Sequence, residues 1–80
     1  MRRDVTEVLD KVLSVVPASE RLHARLVRLK SDAAFKPPES NDIWLAGTRA
    51  LWEHLPSGPD GSPPVDGWQG EAVRIWTGRE

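Results

Sequence analysis

Two histidines, His23 and His54, are the side chains in this chain best suited to proton transfer or metal ligation. A zinc site needs three or four ligands at definite spacing. Here there is no cysteine, and neither an HxxxH nor an HExxH pattern surrounds either histidine. No metal or other cofactor is expected. General acid–base work needs a second group held beside the imidazole in a pocket, and nothing nearby in sequence nominates one. His54 falls on an edge expected to be closely packed, where a hydrogen-bonded structural histidine is the better reading. Ser14, Ser31 and Ser57 have no nucleophile-elbow or triad context. Gly58, Gly61, Gly67 and Gly70 are not followed by GKS or GKT, so they form no phosphate loop. The chain reads as non-enzymatic.

Cations are the next candidates. Arg21, Arg25 and Arg28 recur at i, i+4 and i+7, on one flank of an expected helix. Together with Lys30 they could meet phosphates or an acidic partner, although Asp32 and Glu20 blunt the flank. Residues 1–36 carry eight Lys/Arg against five Asp/Glu, net +3, and residues 37–80 carry three against seven, net −4. Pairing between the two halves, or with a partner, follows from that asymmetry. The segment DAAFKPPESND is too long and too proline-broken for the turn of a helix-turn-helix reader. Nucleic acid therefore ranks below protein as a partner.

The third feature is aromatic. All four tryptophans fall into two pairs with the same eight-residue step, Trp44 with Trp52 and Trp68 with Trp76, in a chain with no tyrosine and one phenylalanine. Such a step turns a helical side chain by about 80°, so each pair brackets one broad face. Around Trp44 and Trp52 the apolar arc covers roughly 220°, against about 100° for a one-sided surface helix. Arg49 and Glu53, with Ala46, mark its polar side. That helix is either central or leaves an apolar flank for a partner. Trp44 and Trp68 are expected to face the other helices. Trp52 and Trp76, with Leu45, Arg49 and Glu53, are the candidate protein-binding residues, because tryptophan is enriched in interface hot spots.

Periodicity supplies the elements that would carry these groups. Val5, Val8, Leu9, Val12 and Val16 share one face of a helix over 4–16, opened by Asp4 with Glu7 in a capping-box pattern and stopped at Pro17. Leu22, Leu26, Leu29 and Ala33 make an apolar stripe on a helix over 19–34, with Ser19 as its cap. A third helix covers 41–55, entered through Ser40 or Asn41. Gly47 and Ala50 would let a neighbour approach it closely. Residues 56–67 hold four of the seven prolines and three of the six glycines, and read as a flexible or functional loop. A last helix over 66–77 is capped by Asp66 with Gln69 and stopped at Gly78, in competition with a strand at AVRIW.

The expected fold is one all-α domain of four short helices spanning 1–80. No apolar run approaches the ~20 residues that a bilayer span needs. A charged start without an apolar core argues against a secretory signal, which makes the cytoplasm the expected setting. The function class that remains is a small protein-binding modulator: an inhibitor, adaptor or accessory subunit. Phages and mobile elements encode motif-free inhibitors of this size against host defence complexes. A nucleic-acid-binding regulator using the arginine flank and a homodimeric structural protein are the alternatives.

Overall fold

A computed structural model describes residues 4–35 and 41–78. Four helices account for most of them, and no strand occurs among the described residues. Helix α1 is Val5–Val15, α2 is Arg21–Ala33, α3 is Asn41–His54 and α4 is Gly67–Thr77. The helical reading of 66–77 therefore holds against the strand.

Helix α1 begins where expected. Asp4 Oδ1 accepts the Thr6 amide at 2.9 Å, which satisfies one of the donors left open at a helix start. It ends at the residue before a proline, where the helical backbone is sterically disfavoured. Val16 is extended, with φ −82° and ψ 124°, while its amide still donates to Val12 O. Val5, Val8, Leu9 and Val12 are all buried.

Helix α2 starts later than its sequence suggests. The Glu20 amide closes a turn onto Pro17 O at 3.0 Å. That turn moves the N-cap to Glu20, and no side chain bonds the first amides. Ser19 is thus not the cap. Leu22, Leu26 and Ala33 are buried and Leu29 packs partly against them.

Ser40, one of the two proposed entries to α3, lies outside the described residues. Asn41 is the first residue of the helix, and Asp42 places a negative charge in the first turn, where the helix dipole favours it.

Helix α4 begins after Asp66, as expected, but without the expected side-chain bonds. Gly67 is left-handed at φ +67°, and the Gln69 side chain lies over the position a Cβ would occupy there, Oε1 at 2.8 Å from it. With the backbone turned this way Asp66 is the N-cap by position but makes no side-chain cap bond, so the Asp66–Gln69 box does not form. Gly78 ends the helix as expected, left-handed at φ 78°, with its amide on Arg74 O and Ile75 O.

Helix α1 packs against α2 and α4, and α2 against α3. Side chains join α3 to α4. Trp76 lies on Gly47, where an added Cβ would stand 2.3 Å from Cη2 and 2.5 Å from Cζ2 of the indole. Its ring meets Trp44 at 4.8 Å between centroids, tilted by 53°, an arrangement aromatic quadrupoles favour. Its Nε1–H donates to Thr48 Oγ1 at 2.9 Å. The close approach that Gly47 permits is thus filled by an indole and not by a helix backbone. Trp76 is 4 % exposed. It belongs to the core, contrary to the reading that made it a docking residue. Trp68 is only half-buried, so this pair is split in the opposite sense to the expectation.

Candidate interaction surface

The apolar arc of α3 divides in two. Ile43, Gly47, Ala50, Leu51 and the following Leu55 are buried. Across the helix, Leu45 is 67 % and Trp52 47 % exposed. The helix is therefore covered on one side and presents an apolar flank on the other. The first tryptophan pair splits as expected, with Trp44 half-buried and Trp52 at the surface.

Trp52 also forms one wall of a groove of about 410 Å³. The loop lines it through Pro63, Pro64 and Val65, and α4 through Gly70, Val73, Arg74 and Thr77. Val65 is 71 % exposed. Arg74 is the one charged residue among the described residues lining this groove.

The loop wall is built. Gly58 donates to Ser62 O at 2.8 Å, and Gly61 to Gly58 O at 2.9 Å. The Ser62 amide donates to Asp60 Oδ1 at 3.0 Å. Hydrogen bonds from Ser62 hold the Asp60 carboxyl below its ordinary range. Farther along, Gly70 of α4 gives the loop its seat, since a Cβ there would lie 2.2 Å from the Val65 carbonyl carbon. Arg74 Nη1 then donates to Val65 O at 3.3 Å. These contacts fix the Pro63–Val65 wall on α4.

Beside Trp52 lies a charged cluster. Arg25 Nη1 donates to Glu53 Oε2 at 2.5 Å, tying α2 to α3. The Glu53 carboxyl is held below the usual carboxylate range, first by that hydrogen bond; desolvation opposes it, and the charges of Arg25, Arg49 and His54 add to the lowering. The pair joins the basic N-terminal half to the acidic C-terminal half, as the charge asymmetry suggested. Lys30 pairs with Asp10 of α1. Arg25 and Lys30 are thus engaged within the chain, whereas Arg21 and Arg28 are exposed.

His54 is exposed. The expected hydrogen-bonded histidine on a packed edge is not what α3 presents, because that edge is covered at Ala50 and no longer covered one turn later, in the helix's final turn. His23 is half-buried on α2. Among the described residues no three His, Asp or Glu side chains gather in a metal-holding group, and no helix is long and apolar enough to cross a membrane.

Of the proposed protein-binding residues, Trp52, Leu45, Arg49 and Glu53 share the outer side of α3, and Trp76 lies beneath it. Sequence reasoning missed the groove's other walls. Two signals pointed to them: Val65 is the lone aliphatic residue inside the proline-rich loop, and Gly70 is a glycine in the interior of the last helix. What these residues can do together is hold a partner's apolar side chain against Trp52, with arginines at the rim. Compared with known protein families, curated proteins and solved structures, the chain matches none.

Proposed function

We propose that this protein acts by binding another protein, without catalysing a reaction, through the face centred on Trp52. The supporting observation is the half-exposed Trp52 itself, set between an exposed Leu45 and an apolar groove on a domain whose other tryptophans are buried or half-buried. A large, rigid indole at the centre of an apolar patch is the usual form of an interface hot spot, and contiguous exposed apolar surface marks interaction sites. The rim supplies Arg49, Glu53 and Arg74, which would set orientation and partner choice more than affinity. In this reading the protein is an inhibitor, adaptor or accessory subunit working in the cytoplasm. A phage or mobile-element inhibitor directed at a host defence complex is one form of it.

The arginine flank supports nucleic-acid binding less well. Arg25 and Lys30 have carboxylate partners, which leaves Arg21 and Arg28 to contact phosphates. The test is affinity capture with the full chain and with Trp52→Ala in parallel, followed by affinity measurement on the purified pair. A partner retained by the wild type and lost by the variant supports the reading. A partner retained equally by both removes Trp52 from it.

A further inference from the structure

Trp52 stands between two cations. Around α3, Thr48 lies about 40° from it on one side and Arg49 about 60° on the other. The Thr48 side faces α4, because Thr48 Oγ1 accepts from Trp76 Nε1. The groove and its Arg74 are therefore on that side, and Arg49 is on the opposite one. Arg74 Nη1 donates to Val65 O, while Nε and Nη2 have no acceptor among the described residues. Arg49 is exposed and makes no ion pair among them. Helices α2 and α3 run antiparallel, since a short connection joins them and Arg25 near the start of one bonds Glu53 near the end of the other. Arg28, three residues after Arg25, is thereby brought level with Arg49, four residues before Glu53. Arg28 too is exposed and makes no ion pair among the described residues. Three arginines thus surround one carboxylate at the Trp52 end of α3. Other carboxylates stand toward the Leu45 end: Asp42 lies about 15 Å before Trp52 along the helix, and Asp32 one turn beyond Arg28. Among the described residues no carboxylate lines the groove.

We propose that the partner covers this face with an acidic segment built around a large apolar side chain. The apolar group fills the groove against Trp52, and carboxylates on its two sides meet Arg74 and Arg49. The inference rests on the reading of the Trp52 face as a docking surface and names the chemistry of its occupant. Val65, Val73 and the two prolines suit a side chain without polar atoms, because a buried polar group needs a partner. Thr77 offers no free donor, since its hydroxyl donates to Val73 O at 2.7 Å. At Arg74 the open Nε–Nη2 edge is the one a carboxylate accepts from with both oxygens. An apolar partner alone would desolvate that cation without compensation, and a carboxylate removes the cost. Arg49 stands at the open rim, where an ion pair adds little affinity. It acts on partner choice and on the rate of encounter. A nucleic-acid strand would stack a base on Trp52, but it would meet apolar walls in the groove and carboxylates toward Leu45, which repel its phosphates.

A displayed library of short random peptides, selected on the immobilised full chain and counter-selected on Trp52→Ala, reads this chemistry. Enriched peptides are expected to carry Trp, Phe or Leu with Asp or Glu on both sides. One such peptide, made with a fluorophore, should bind Trp52→Ala about 30-fold more weakly, Arg74→Glu about tenfold more weakly and Arg49→Glu about fivefold more weakly. Melting temperatures control for folding, and Arg49→Glu leaves the loop contact of Arg74 untouched. Added salt should weaken the wild-type complex. The same peptide with lysines in place of its acids should prefer the double variant Arg49→Glu, Arg74→Glu over wild type. No enriched peptide, enrichment without acidic residues, or affinity unchanged in both arginine variants overturns the proposal. Tighter binding of a single-stranded oligothymidylate than of the acidic peptide overturns it too and assigns the face to nucleic acid. If a captured partner is lost by Trp52→Ala but held equally by wild type and the double arginine variant, the acidic chemistry falls and the docking reading stands.

Discussion

Replacing Gly47 by alanine separates this packing from a generic helical one. A glycine inside a helix costs about 1 kcal/mol relative to alanine, so Gly47→Ala at an open position would stabilise the domain by that amount. Gly47 is not open. The new Cβ would fall 2.3 Å from Trp76 Cη2 and 2.5 Å from Cζ2, closer than real Cβ contacts come. The indole must move, and it is wedged between Gly47 and Trp44 with Nε1 bonded to Thr48. Overpacking of this kind costs about 1–3 kcal/mol. Losing the indole hydrogen bond adds about 1 kcal/mol. Against the helix-propensity gain of about 1 kcal/mol, the net expectation is a destabilisation of about 1–3 kcal/mol. In a domain of this size each kcal/mol moves the melting temperature by about 4–8 °C. Thermal and urea unfolding followed by circular dichroism would measure it. Trp76→Leu should partly relieve the clash, so the double variant should lose less than the sum of the two singles. A Gly47→Ala variant that melts higher than wild type would refute the placement of Trp76 on Gly47, and with it the assignment of Trp76 to the core.

Other outcomes follow from the same contacts. Trp76→Ala should cost about 3–5 kcal/mol through lost area and a cavity, whereas Trp52→Ala, already about half exposed, should cost far less; melting both variants side by side checks this. Leu26→Ala and Leu51→Ala, at fully buried positions, should each cost about 2–5 kcal/mol, and near-wild-type melting of both would mean the core faces are misassigned. Gly70→Ala should displace the Pro63–Val65 wall, because the clash is with backbone, which cannot swing aside as a side chain does; faster proteolysis within 56–67 would report it. Glu53 has a lowered folded-state pKa, so the stability it lends is present above its unfolded pKa and is lost as pH falls through the folded one. Unfolding measured across the acid range should show a slightly shallower acid loss in Glu53→Gln, small because the pair is solvent-exposed.

The four helices were legible because each carries its own period, and α1 shows this most clearly, with four buried residues on the expected face. Its stop was equally local, since Pro17 constrains only the residue before it. The cap at Ser19 and the Asp66–Gln69 box were misread because capping depends on the adjoining backbone. A turn from Pro17 to Glu20 and a left-handed Gly67 each overrode a favourable side chain. Trp76 was misplaced for a different reason. A helical wheel orders side chains around their own axis but is silent on what stands opposite. Gly47 was read correctly as a place of close approach, yet the group that approaches comes from another helix, 29 residues away in sequence. In α4 buried residues cover an arc of about 220°, from Ile75 through Ala72, Trp76 and Val73 to Gly70. The loop seated on Gly70 accounts for the last of these, and no period within α4 encodes it. The groove beside Trp52 escaped notice on the same grounds: its walls come from α3, the loop and α4, which only the tertiary fold brings together.

The central claim is that Trp52 is a surface anchor for a partner and not part of the structural core. The affinity of a captured and purified partner for Trp52→Ala, measured against wild type with the variant's melting temperature as control, tests it most directly. The account predicts a loss of about 30-fold or more in affinity, about 2 kcal/mol, with melting close to wild type. Unchanged affinity in a folded variant, or a variant that fails to fold, would contradict it.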